Sequence, residues 1–202
     1  MPHARTRIGL FGGSFDPIHL GHLIMAEDAV HFARLDQLIF LPAFSSPLRE
    51  NLPGTSASDR LAMVRLATDA FPSFAVDDFD IQQGRRVYCY EIAEHYRKSF
   101  PDAELFFLIG GDQYRQLDRW ERCEEIRREL TFICARRGDD ESPGRTPANE
   151  TEDSDILFLP NRRIDISASE IRERVKTNRS IRSLVPREVA AFIDENSLYR
   201  RG

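Results

Sequence analysis

The sequence predicts an α/β fold: a doubly wound, mainly parallel sheet with a small helical part at its C-terminal end. Three observations carry this. Short apolar runs alternate with stretches of helical periodicity along the chain. Double glycines close two of the apolar runs, at Gly12–Gly13 and Gly110–Gly111. The 202 residues, 41% hydrophobic and 30% charged, suit one domain with a real core. Strand–helix alternation of this kind implies a parallel sheet covered on both faces.

In chain order, residues 7–11 read as a first strand and 20–35 as a helix, with Leu20, Leu23, Ile24 and Val30 near helical spacing. Residues 37–43 are a second strand. Residues 58–71 are a helix with Leu61, Val64, Leu66 and Ala67 on its apolar side. A third strand is expected over 74–81, a helix over 88–100 and a fourth strand over 104–109. Residues 131–135 and 156–159 make two more strands, and short helices start near Ala168 and Pro186. Residues 138–155 are rich in Asp, Glu, Ser, Pro and Gly, with Arg145 the single basic residue, and predict a mobile acidic surface loop. The expected organisation is therefore one domain over 1–202, with residues 166–202 a C-terminal helical subregion.

Composition excludes several function classes. A net charge of −5 is a poor start for a nucleic-acid binder, which needs a basic face. Cys89, Cys123 and Cys134 are odd in number and form no CxxC pair, so neither a disulfide framework nor a zinc site is expected. Free thiols suit a cytoplasmic location. No signal peptide and no membrane-crossing run is seen.

The segment Gly12-Gly13-Ser14-Phe15-Asp16-Pro17-Ile18-His19-Leu20-Gly21-His22 joins the first strand to the first helix. Glycine lets phosphates approach the backbone, and a helix start presents unpaired N–H groups to an anion. His19 and His22, three apart, would share one face of the first turn. A lone histidine there is usually a cap; a pair after a strand and two glycines points to a phosphate site. A triphosphate would favour protonated imidazoles, able to stabilise charge on a phosphoryl group. No P-loop and no G-x-G-x-x-G pattern is present. Further on, Asp165-Ile166-Ser167-Ala168-Ser169-Glu170-Ile171-Arg172 contains S-x-x-E, a capping box that marks a helix start. By itself it is a well-capped helix; with Ser169 and Arg172 beside it, it is also an anion cradle.

The first segment resembles the GxFDPxHxGH signature of the HIGH-type nucleotidyltransferase superfamily, and the second its ISSTxIR motif, with Ala168 and Ser169 replacing a serine and a threonine. The resemblance spans nearly the whole chain and is strongest to the bacterial nicotinate-nucleotide adenylyltransferase family. Phe107-Leu108-Ile109-Gly110-Gly111-Asp112-Gln113 with Leu117 and Trp120 is similar to its FxxGxDxxxxLxxW block. Residues 132–136, ending at Arg136, resemble its next strand and arginine, and Leu184-Val185-Pro186, Val189, Ile193 and Leu198-Tyr199 its C-terminal helix. Two segments depart. Ser46-Pro47-Leu48-Arg49 offers arginine where the family has lysine, and residues 87–93 keep only Tyr88 of the SYTxDTL segment.

The resemblance implies a Rossmann-like nucleotidyltransferase fold and transfer of AMP from ATP to nicotinate mononucleotide, giving deamido-NAD and pyrophosphate. It makes His19, His22 and Arg172 catalytic. ATP would be bound by Gly12, Gly13, Ser14, Phe15, His19, His22, Gly110, Asp112, Ile166, Ser167, Ser169 and Arg172. Arg49, Tyr88, Asp112, Trp120 and Arg136 would hold the acceptor. Mg²⁺ would arrive with ATP and need no protein ligand; neither nucleic acid nor membrane is an expected partner, and homo-oligomer formation stays open. Two alternatives also stay open: a related adenylyltransferase acting on nicotinamide mononucleotide or another phosphate substrate, and a nucleotide-binding paralogue without turnover.

Overall fold

Apolar runs and helical stripes fold here as an alternating α/β chain. The computed structural model describes residues 5–44, 55–135, 156–160 and 164–200. Arg49, Arg136 and the acidic stretch 138–155 lie outside them. The strands are β1 (Arg7–Gly13), β2 (Gln37–Pro42), β3 (Phe74–Val76), β4 (Glu104–Gly110), β5 (Thr131–Ala135) and β6 (Ile156–Leu159). The helices are α1 (Leu20–Phe32), α2 (Ala57–Thr68), α3 (Phe79–Gln82), α4 (Cys89–Ser99), α5 (Gly111–Tyr114), α6 (Cys123–Glu129), α7 (Ala168–Lys176) and α8 (Arg187–Glu195), with a 3₁₀ turn at Leu117–Arg119. The strands form one parallel sheet in the order β3-β2-β1-β4-β5-β6. The order reverses between β1 and β4, where Arg7 faces Glu104 and Leu10 faces Phe107. Ligands of such sheets bind beyond the carboxyl ends of the strands at this reversal.

By internal contacts the chain divides into two compact units. The first draws on Met1–Gly12, Met25–Ile39 and Val87–Ile164; the second on Gly13–Ile24, Phe40–Arg86 and Asp165–Gly202. In the first unit β4 is buried from Leu105 to Ile109, the continuous apolar run of a strand covered on both faces. The second unit closes its core with Phe15, Ile18, Phe40, Met63, Val64, Ile171, Val185, Val189 and Ile193.

Three expected elements differ, each for a local reason. The strand expected over 74–81 stops at Val76. The Asp77 carboxylate accepts the Phe79 N–H at 2.8 Å, and this Asx turn starts α3. The helix expected over 20–35 ends at Phe32. Arg34 takes a left-handed φ of 49°, and the Leu35 N–H returns to the Val30 carbonyl at 2.9 Å, a Schellman stop without the usual glycine. In α2, which ends at Thr68 rather than Phe71, the buried side is Arg60, Met63, Val64, Ala67 and Thr68, while Leu66 is 39% exposed. The apolar stripe is thus rotated from the expected one, because tertiary packing puts a charged residue inside.

Candidate phosphate-binding site

The second unit contains both turns that the sequence marks as anion cradles. The first runs from Gly13 to His22. The Gly13 carbonyl accepts the Ala43 N–H at 2.9 Å. A Cβ on Gly13 would stand 3.0 Å from the Phe15 ring, so glycine at this position admits that ring as well as any ligand. Phe15 is buried with a left-handed φ of 44°, and its ring packs against Phe40 and edge-on to His22.

His19 is the N-cap of α1: its carbonyl accepts the N–H groups of His22 and Leu23 at 2.9 and 3.3 Å. The His19 N–H is in turn accepted by Nδ1 of His22 at 3.3 Å. His22 thus fills the role of the Glu or Gln in a capping box. An Nδ1 that accepts leaves the ring proton on Nε2, the atom that can donate to a phosphate oxygen. The two rings stack at 3.6 Å between centroids, 20° apart in plane. In this geometry His22 is placed as a donor through Nε2 next to the His19 ring.

The second turn begins α7. Ser167 is its N-cap and accepts the Glu170 N–H at 3.2 Å. Only half of the expected capping box forms, because the Glu170 carboxylate pairs with Arg174 at 2.8 Å instead of turning back. Arg172 donates through Nη2 to the Ser169 hydroxyl at 2.8 Å, and through Nη1 to the Asp16 carbonyl at 2.6 Å. One guanidinium therefore ties the two turns together across 156 positions of sequence. Ile166 stands just before the cap.

Two residues missed by sequence reasoning hold the first turn. Arg60 is 5% exposed and donates to the carbonyls of Ser14 and Phe44, at 2.7 and 2.9 Å. A signal existed: Arg60 sits one and two turns from Val64 and Ala67, on the stripe that is buried. Tyr199 donates its phenol proton to the Asp16 carboxylate at 2.6 Å. Burial pushes its pKa well above the ordinary tyrosine value, and the Asp16 charge and hydrogen bond add to this.

The residues expected to hold the acceptor, where described, belong to the first unit. Asp112 is exposed in the first turn of α5, its carboxylate so close to Gly110 that a Cβ there would stand 2.8 Å from it. Trp120 is half-buried and edge-on to Phe107 and Phe132, at 6.4 and 6.2 Å. Tyr88, 38% exposed, precedes α4; its N–H is accepted by Glu91 at 2.9 Å, and its ring stacks on Tyr90. Gly12 also falls in this unit, at the end of its share of β1. Among the described residues no group of three or more His, Cys, Asp or Glu side chains could hold a metal ion, and no helix is long and apolar enough to cross a membrane.

Comparison with known proteins places these turns in a context. Residues 10–174 match the cytidylyltransferase-like family model. A protein of Opitutus terrae named "Probable nicotinate-nucleotide adenylyltransferase" is 40% identical over 197 residues, covering 96% of this chain and 98% of its own. One of Shouchella clausii with the same name is 37% identical, covering 96% of each. The structure of Plasmodium falciparum nicotinic acid mononucleotide adenylyltransferase complexed with NaAD has a TM-score of 0.77 at 17% identity, covering 96% of this chain and 98% of that one.

Proposed function

We infer that this chain, which belongs to the nicotinate-nucleotide adenylyltransferases of the cytidylyltransferase-like family, transfers AMP from ATP to nicotinate mononucleotide, releasing pyrophosphate and deamido-NAD. It is a nucleotidyltransferase with a Rossmann-like parallel sheet. The observation that carries the assignment of the ATP site is the Arg172–Asp16 bond of 2.6 Å, which joins the glycine-histidine turn to the serine-capped turn.

The reaction is an in-line displacement. An oxygen of the acceptor's phosphate attacks the α-phosphorus of ATP; the bond to the β-phosphate oxygen breaks and pyrophosphate leaves with that electron pair. No covalent enzyme intermediate is required, so catalysis is positioning plus charge stabilisation. Nε2–H of His22 and the His19 ring donate to the α- and β-phosphates together with Ser14. Ser167, Ser169 and Arg172 take the β- and γ-phosphates at the start of α7, where helix N–H groups favour anions. Hydroxyls, imidazoles and a guanidinium suit phosphate oxygens, so Mg²⁺ would be held through the ATP phosphates and water, adding charge neutralisation there. Tyr88, Asp112 and Trp120 are assigned to the acceptor, the indole stacking on the pyridine ring.

The test is pyrophosphate release from ATP and Mg²⁺ with three acceptors in parallel: nicotinate mononucleotide, nicotinamide mononucleotide and phosphopantetheine. Preference for the first by tenfold or more in kcat/KM is the expected result. Equal or faster turnover with either of the others overturns the acceptor assignment, and none with any of them overturns the reaction.

A further inference from the structure

We propose that Tyr199, in the segment after α8, is a positioning residue for the ATP-phosphate turn and acts through the Asp16 carboxylate. This rests on the reading of residues 13–22 as a phosphate site.

The chain makes an effort to deliver this phenol. Helix α8 ends in a Schellman stop: Ser197 has a φ of 51°, and the Leu198 N–H returns to the Ile193 carbonyl at 3.0 Å. That stop accounts for Ser197. It does not account for Tyr199, two residues on, which holds a left-handed φ of 62°. A bulky residue in this region is strained and persists only where its surroundings over-determine it. What holds Tyr199 is its hydroxyl, bonded to the Asp16 carboxylate at 2.6 Å.

At the other end of that bond, Asp16 is 5% exposed and follows Phe15, itself left-handed at 44°. Strained backbone thus stands on both sides of one hydrogen bond. The turn is gripped from three elements of the second unit. Arg60 of α2 takes the Ser14 carbonyl, Arg172 of α7 takes the Asp16 carbonyl, and Tyr199 takes the Asp16 side chain. In a planar trans peptide the N–H opposes the C=O. Drawing the Ser14 carbonyl toward Arg60 therefore aims the Phe15 N–H the other way. The two arginines set peptide directions, while Tyr199 alone of the three reaches a side chain and stops it rotating.

Tyr199→Phe keeps the ring and removes only the hydroxyl. The test pairs it with Asp16→Ala in a double-mutant cycle at 10 °C, where loss of one hydrogen bond leaves the fold intact. ATP affinity with Mg²⁺ is read by calorimetry, kcat by pyrophosphate release, and folding by thermal unfolding. Tyr199→Phe is expected to raise the Kd for ATP about tenfold and to lower kcat, leaving the KM for nicotinate mononucleotide within about twofold. The double variant should be no worse than Asp16→Ala alone. Wild-type ATP affinity and kcat in Tyr199→Phe overturn the proposal, even with a lowered Tm, since that is the signature of a merely structural tyrosine. Multiplicative losses in the double variant overturn it equally, because they show that Tyr199 does not act through Asp16. The calorimetric arm uses ATP alone, so it reads positioning even where nicotinate mononucleotide proves not to be the acceptor.

Discussion

Replacing Arg60 by methionine probes the least expected part of the site. The side chain is 5% exposed and its guanidinium donates to two carbonyls, Ser14 at 2.7 Å and Phe44 at 2.9 Å. A hydrogen bond from a charged donor contributes about 1.5–3 kcal/mol, so the two together contribute about 3–6 kcal/mol. Methionine fills similar volume and removes the cost of burying a charge, which returns part of that sum. The expected net loss is about 2–4 kcal/mol, and at 202 residues this lowers Tm by about 5–15 °C. Urea unfolding should show a lower midpoint at an unchanged slope. With Ser14 released, the Phe15 peptide loses its fixed direction, and kcat/KM for ATP should fall at least tenfold. Arg60→Lys should recover little, because a point-charge ammonium cannot fork to two carbonyls. A Tm within about 2 °C of wild type together with unaltered ATP kinetics would refute the reasoning.

His19→Ala and His22→Ala should each lower turnover at least about a hundredfold with the fold intact, as loss of a donor to developing charge does. His22→Asn separates two jobs: its side-chain oxygen can replace Nδ1 in accepting the His19 N–H, so Tm should stay near wild type while pyrophosphate release stays low. A normal rate in that variant would remove Nε2 from the mechanism. Ser167→Ala should destabilise by about 1 kcal/mol through loss of the α7 cap and raise the KM for ATP; an unchanged KM would leave Ser167 a cap alone. Cys89 is only half-buried, yet desolvation of its thiol pushes it well above the ordinary range and the nearby Cys123 adds to this, so it should resist iodoacetamide at pH 7–8. Mass spectrometry showing Cys89 alkylated before Cys123 would contradict that environment. Finally, the raised pKa of Tyr199 stabilises the fold below the unfolded tyrosine value near 10, and that contribution fades as pH rises beyond it. Tyr199→Phe should therefore lose less stability than wild type between pH 9 and 11, measured by urea midpoints; parallel losses would rule the linkage out.

Local pattern was enough to make the α/β alternation legible, because hydrophobic period is a property of consecutive residues. The same holds for the two candidate phosphate turns. Glycines, histidines and a Ser-x-x-Glu box lie close together in sequence, and their chemistry needs only a helix start to take effect. Phe79–Gln82 escaped because one carboxylate, Asp77, bends an otherwise strand-like run into a turn.

What the sequence by itself determined, then, is the alternation of the main strands and helices and which local turns are candidates for phosphate. Only the tertiary structure decided which atoms hold those residues still. Arg172 reaches Asp16 over 156 positions and Tyr199 over 183. Nothing in a run of neighbours encodes such a distance. A polar group buried by folding must find its partner wherever packing brings one, and that partner is settled only when the whole core has closed.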